Sequence, residues 1–227
     1  MNITSSSLFK AAGAAAAVGG AVFIAVQINH PAMEVASVET TEWVVRSTAK
    51  FVMSALVLLG ITGMYLRQYR RAGLLGLIGY LVFAAGYFLM SSVEAIAAAI
   101  LPALARTEPG YVNDVVVSAF GGTPAGDIGG IQTLLSVSGF GFIVGGLIFG
   151  IALYRSGVLA RSAAALLAVS TFGTAALAVL PESFNRPFAV PVGIALFGLG
   201  VSLWRNHQDA PATLVASARR DSVPAVR

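Results

Sequence analysis

Long apolar stretches alternate with short polar connections along this chain. Six stretches stand out: Leu8–Ile28, Val44–Leu66, Gly73–Leu101, Gly130–Tyr154, Val158–Leu180 and Pro187–Trp204. A helix needs roughly 20 apolar residues to cross about 30 Å of hydrocarbon. The stretches lack the ten-residue alternation of transmembrane strands. The pattern predicts an all-α fold, an integral membrane bundle of six transmembrane helices within residues 1–205, followed by a disordered cytoplasmic tail, 206–227. Eight of the nine prolines fall at helix ends or in connections, and Pro191 falls in the first turns of the last stretch, where early amides have no intrahelical partner. One connection is long, the outer loop 105–129, which ends in the flexible GGTPAGDIGG. Structureless connections of that size are often functional.

Composition sharpens the class. Hydrophobic residues make up 57% and charged residues 11%, with a mean hydropathy of +0.83. A soluble globule carries about 25% charge. The chain has too little polar surface to be water-soluble.

The placement of charge orients the bundle. With the N-terminus in the cytoplasm, Lys10, Arg67, Arg70, Arg71, Arg155, Arg161, Arg205, Arg219, Arg220 and Arg227 fall inside, and Arg46, Lys50, Arg106 and Arg186 fall outside. Acidic residues reverse the split: Glu34, Glu39, Glu42, Glu94, Glu108, Asp114, Asp127 and Glu182 face out, while Asp209 and Asp221 face in. Short basic turns on one side predict N-in and C-in. The expected location is a bacterial cytoplasmic (inner) membrane, crossed in multiple passes. The pI of about 9.8 is then a signal of topology, and no nucleic acid partner is expected.

Packing cues are glycines. Gly141 and Gly145 are four apart, as are Gly146 and Gly150. Small residues at this spacing let helix backbones approach closely, within one bundle or across a homodimer seam. The endings LGITGMYLRQYRRAG and FGIALYRSGVLAR echo each other weakly.

Several chemistries are excluded by count. No cysteine means no disulfide, thiolate metal site or iron–sulfur cluster. His30 and His207, the two histidines, lie on opposite sides, which rules out a transmembrane bis-histidine haem. Glu94 lies 23 residues after Arg71, about 35 Å along a helix and so near the outer interface. No stretch carries a charge near its middle, which argues against a carboxylate proton relay. Glu42, Arg46 and Lys50, spaced by four, should share a helix face. His30 and Glu34 share the same spacing at the outer end of the first helix. With Glu94, Asp114, Asp127 or Glu182 they form a candidate ligand or metal site at the outer face, because histidine plus carboxylates can hold a divalent ion. No cofactor is otherwise predicted.

Residues 149–205, with the turn LYRSGVLAR and the ending VPVGIALFGLGVSLWR, resemble uncharacterised multispanning membrane proteins of high-GC Gram-positive bacteria. The resemblance implies a six-helix bundle and transfers no catalytic residue. The sequence favours a non-enzymatic membrane protein, binding a lipid or small amphiphile or serving as an accessory subunit. The partners would be membrane lipids, with a homo-oligomer or larger membrane complex as a further option. The alternatives are a small transporter or channel with an acidic outer vestibule, and a membrane enzyme using His30 and outer-face carboxylates.

Overall fold

The computed structural model of the chain describes residues 4–206, and every regular element among them is helical. The expected tail, and His207 with it, lies outside the described residues. The elements are α1 (Ser5–Ala25), the single turn α2 (Val35–Val38), α3 (Thr41–Ala99), α4 (Leu101–Thr107), α5 (Pro109–Ala119), α6 (Gly130–Ser156), α7 (Arg161–Gly173) and α8 (Asn185–Arg205), with 3-10 turns at Thr174–Ala178 and Glu182–Phe184. Five helical stretches are long and apolar enough to cross a membrane: Ser5–Ala25, Thr41–Ala99, Gly130–Ser156, Arg161–Ala178 and Asn185–Arg205.

The 59-residue α3 would span about 88 Å if straight. It is broken instead at Gln68 (φ −138°) and Gly73 (φ +58°). A positive φ is cheap only for glycine, so the break falls where RQYRRAG supplies one. The two legs, 41–67 and 74–99, then run antiparallel. The Trp43 indole N–H donates to the Ala97 carbonyl at 3.0 Å, Lys50 faces Glu94, and Tyr65 stacks on Tyr80 at 4.8 Å. The separate stretches read from sequence as 44–66 and 73–101 correspond to these legs.

The apolar legs form a closed ring in which each runs antiparallel to its neighbours. Glycine sets each close approach. An added methyl at Gly13 would lie 2.6 Å from the Trp204 amide of α8, and one at Gly19 would lie 2.9 Å from Val57 on the first leg of α3. One at Gly86, on the second leg, would lie 2.7 Å from the Gly141 carbonyl carbon of α6. A methyl at Gly150 would lie 2.6 Å from the Ala168 amide of α7, and the Ala160 amide before α7 donates to Ser202 of α8 at 2.9 Å. The first residue of α1 and the last of α8 therefore lie at the same end of the bundle, called here the turn end. Inside the ring, Phe83, Tyr87 and Phe149 are fully buried beside Val57, Ile61, Leu167 and Leu196.

All four glycines of the α6 motif are used within one chain. Gly141 and Gly145 meet Gly86 and the Phe83 backbone, and Gly146 and Gly150 meet Thr171 and Ala168.

The opposite, cap end differs from expectation. The connection read as a loop, 105–129, is largely helical, because Val112, Val115 and Val116 form one face of α5 at helical spacing. That face is buried in a satellite core with Val38, Trp43, Leu101 and Ile128. Pro109 sits in the first turn of α5, where its missing N–H has no helical partner to lose. The stretch read as Val158–Leu180 also tightens at its end, with α-helix giving way to a 3-10 turn at Thr174–Ala178.

Gly145→Leu should drive its side chain into the Phe83 backbone and lower stability by about 1–3 kcal/mol, the usual cost of overpacking. The same substitution at Gly139, where an added Cβ meets nothing within 4 Å, should be tolerated. Thermal unfolding in detergent, with the oligomeric mass measured beside it, checks both.

Candidate functional site

The cap end begins with the problem every helix C-terminus poses, its unbonded carbonyls. Arg46 solves it for α1. Its guanidinium donates to the carbonyls of Val26 at 3.0 Å, Ile28 at 2.9 Å and Asn29 at 2.9 Å. Glu42, one turn earlier on α3, orients the same guanidinium at 2.8 Å. The pairing expected from the spacing of four is present, but Lys50 takes a different partner. Its ammonium lies 3.7 Å from the Glu94 carboxylate on the other leg of α3, with side-chain exposures of 19% and 16%. An almost dry pair of this kind leaves a costly charge behind if one member is removed.

With α1 capped, the chain turns through Asn29 (φ +50°) and presents His30. The His30 Nδ1 lies 2.9 Å from the Pro31 carbonyl and 3.0 Å from an Arg186 guanidinium nitrogen. Its ring meets Trp43 edge-on at 6.4 Å, and its buried Nε2 has no hydrogen-bond partner among the described residues. Arg186 also donates to Gln27 at 3.3 Å and lies over the Phe120 ring at 5.5 Å. Burial lowers the His30 pKa to about 4. The nearby positive charges of Lys50, Arg186 and Arg46 act in the same direction, and the Pro31 carbonyl opposes them. His30 is therefore neutral at pH 7. The charges that act on it are the cations Lys50, Arg186 and Arg46.

The other candidates are placed apart. Glu34 is exposed as the residue before α2, and no described hydrogen bond or ion pair joins it to His30. Asp114 accepts the amides of Ala125 at 3.0 Å and Gly126 at 2.9 Å, and Asp127 accepts that of Gly129 at 2.8 Å. These two carboxylates fold the GGTPAGDIGG segment around their own oxygens. Glu94 belongs to the Lys50 pair. Glu182 opens a 3-10 turn, and its side chain lies outside the described part of the chain. Among the described residues, no three histidine, aspartate or glutamate side chains come together as a metal cage.

What the cap end does hold is a cleft of about 780 Å³. Its walls come from the cap-end parts of both α3 legs, from α5 and the turn after it, from α6, and from the start of α8. Phe23, Met90, Leu135, Phe142 and Val192 make it mostly apolar. Lys50, Glu94, Ser47 and Gln132 are among its polar points, and Gln132 accepts a hydrogen bond from Ser118 of α5 at 2.7 Å. No family model, no curated protein and no solved structure matches the chain. Arg186 and the Lys50–Glu94 pairing were not foreseen. Both join residues far apart in sequence, and only the register of the folded hairpin brings Lys50 to Glu94.

Two expectations follow. Glu94→Leu alone should destabilise by about 3 kcal/mol, by stranding a buried ammonium, whereas Lys50→Met with Glu94→Leu should recover most of that loss; equal melting temperatures for the single and double variants would contradict the pairing. His30 takes up a proton in the unfolded chain near its ordinary value of 6.5 but resists until about 4 in the fold. Stability should therefore be full above about 6.5 and fall as pH drops toward 4. His30→Gln should flatten that part of a melting-temperature profile.

Proposed function

We infer that the chain is a multi-pass protein of a bacterial cytoplasmic membrane that holds a lipid or small amphiphile in the cap-end cleft. The two legs of α3 count as separate crossings, which makes six. The large apolar side chains on the outside of the bundle, among them Leu59, Leu74 and Val169 at 61–70% exposure, suit contact with lipid better than water. The turn end carries Lys10, Arg67, Arg70, Arg71, Arg155, Arg161 and Arg205, which makes it the cytoplasmic end by the rule for basic residues. Both termini then lie inside, and the cleft opens near the outer face.

The observation that carries the reading is the cleft itself. It falls within the usual 300–1,000 Å³ of small-molecule sites and shares their build, apolar walls with a few polar groups that fix orientation. An acyl or other apolar body would lie along Phe23, Met90 and Phe142, and its polar head would meet Lys50, Glu94 and Ser47. The absence of charge along the middle of the legs disfavours an ion pathway. Membrane lipids are thus both solvent and ligand class, and an accessory role in a larger complex is compatible with a bound lipid.

Gly139 lines the cleft, and an added Cβ there meets no neighbour within 4 Å. Gly139→Phe should fill the cleft without moving the backbone. Mass spectrometry of the gently purified protein should find an amphiphile that survives detergent washing in the parent and is reduced at least tenfold in the variant. Equal retention in both, or none in either, would reject the cleft as a lipid site. Solute flux in reconstituted vesicles that Gly139→Phe abolishes would replace this reading with a transporter.

A further inference from the structure

The turn end carries a second recess, of about 680 Å³. It owes its shape to two chain breaks. Gln68 leaves helical geometry (φ −138°) and is buried at 3% exposure. Its carboxamide donates to the Met64 carbonyl and accepts from the Ser156 hydroxyl. Gly157 closes α6 in the left-handed conformation (φ +64°). The polar floor is therefore satisfied and fixed, and the chain on either side is forced outward around it.

Four arginines from two separate segments line this recess: Arg67, Arg70 and Arg71 from the hairpin of α3, and Arg205 from the end of α8. Among the described residues, no acidic side chain lines it. Two of the arginines are held in place. Arg67 donates to the Asn206 carbonyl at 3.0 Å and lies over the Phe9 ring at 5.6 Å, and Arg70 donates to the Tyr69 hydroxyl at 3.0 Å. The rule for cytoplasmic charge asks only for basic loops. It does not ask that arginines from distant segments converge on one concave, preformed site. Tyr69 and Trp204 are exposed beside it at 48% and 52%, the aromatic signature of headgroup depth.

We propose that this recess binds the phosphate group of an anionic ligand, with a phospholipid headgroup as the source its depth favours. Guanidinium groups match phosphate oxygens in pairs, and basic pockets between membrane helices on the cytoplasmic side recognise anionic headgroups. The site is separate from the cap-end cleft, and its chemistry does not depend on what the cleft holds.

The test uses the full-length chain in detergent, with lipid adducts counted by native mass spectrometry. The probes are phosphatidylglycerol, phosphatidylcholine with the same chains, and inorganic phosphate. The parent should prefer phosphatidylglycerol. Arg71→Gln with Arg205→Gln should weaken that binding roughly 20-fold and leave phosphatidylcholine unchanged. Arg71→Lys with Arg205→Lys, which keeps the charge, guards against a folding defect. Arg106→Gln at the cap end should change nothing here. Displacement of phosphatidylglycerol by millimolar inorganic phosphate would keep the site and name soluble phosphate as its ligand. Unaltered phosphatidylglycerol binding by the double glutamine variant, or equal weakening of both lipids, would overturn the proposal.

Discussion

Backbone contact at glycine is the interaction on which the bundle depends. In lipid there is no hydrophobic gain from bringing two apolar helices together, so association rests on packing and on how closely the backbones approach. Here the ring closes only because small residues stand at its seams. Gly13 lies under the Trp204 backbone, Gly20 under Gly193 and Phe197, Gly79 under Phe149, and Gly86 against Gly141. Such close seams bring the apolar interior to the axis, where Phe83, Tyr87 and Phe149 fill it. A bundle spaced by leucines would leave the aromatic core loose. The same seams fix the register of each helix pair, and register decides which side chains meet at the ends.

That dependence explains the polar pairs. Lys50 and Glu94 face each other because the α3 hairpin is pinned by Tyr65 on Tyr80 and by Trp43 on Ala97. Arg46 reaches three carbonyls of the chain leaving α1 because Gly19 meets Val57 and Gly60 meets Ala16 on the same pair of helices. The described ends thus carry polar networks that follow from apolar packing. Tyr87 shows the limit of that order: its hydroxyl is buried without a partner among the described residues, held there by its ring against Phe83 at 5.0 Å and Phe142 at 5.9 Å.

The architecture was legible wherever a signal was local. Apolar length gave the helices, and the glycine spacing in α6 marked residues that pack closely. Pro102 and Pro109 were read at a helix end and in a connection, and the fold uses them in the first turns of α4 and α5. The Glu42–Arg46 pair was readable from a spacing of four. Signals that needed the third dimension were lost. Asp114 looked like a ligand because the pairing of its oxygens with the Ala125 and Gly126 amides spans more than ten residues. The α5 helix was missed because its apolar face is three valines wide, too short to register as a period beside twenty-residue stretches. His30 and Glu34 read as a pair on one helix face, but α1 ends at Ala25, so the spacing of four has no helical meaning there.

The two ends also differ in how their charges are used. At the cap end each cation is engaged by the fold. Arg46 caps α1, Lys50 neutralises Glu94, Arg186 contacts His30 and Phe120, and Arg106 lies 3.8 Å from Glu39. Removing Arg46 or Lys50 disturbs the fold before it disturbs a ligand, whereas the exposed Arg106 pair contributes little. At the turn end Arg67, Arg70, Arg71 and Arg205 come from two separate segments and converge on one recess, where Arg67 donates to the Asn206 carbonyl and Arg70 to the Tyr69 hydroxyl. Convergence on one concave site, more than the count of basic residues, separates a charge that builds the protein from one that can recognise something outside it.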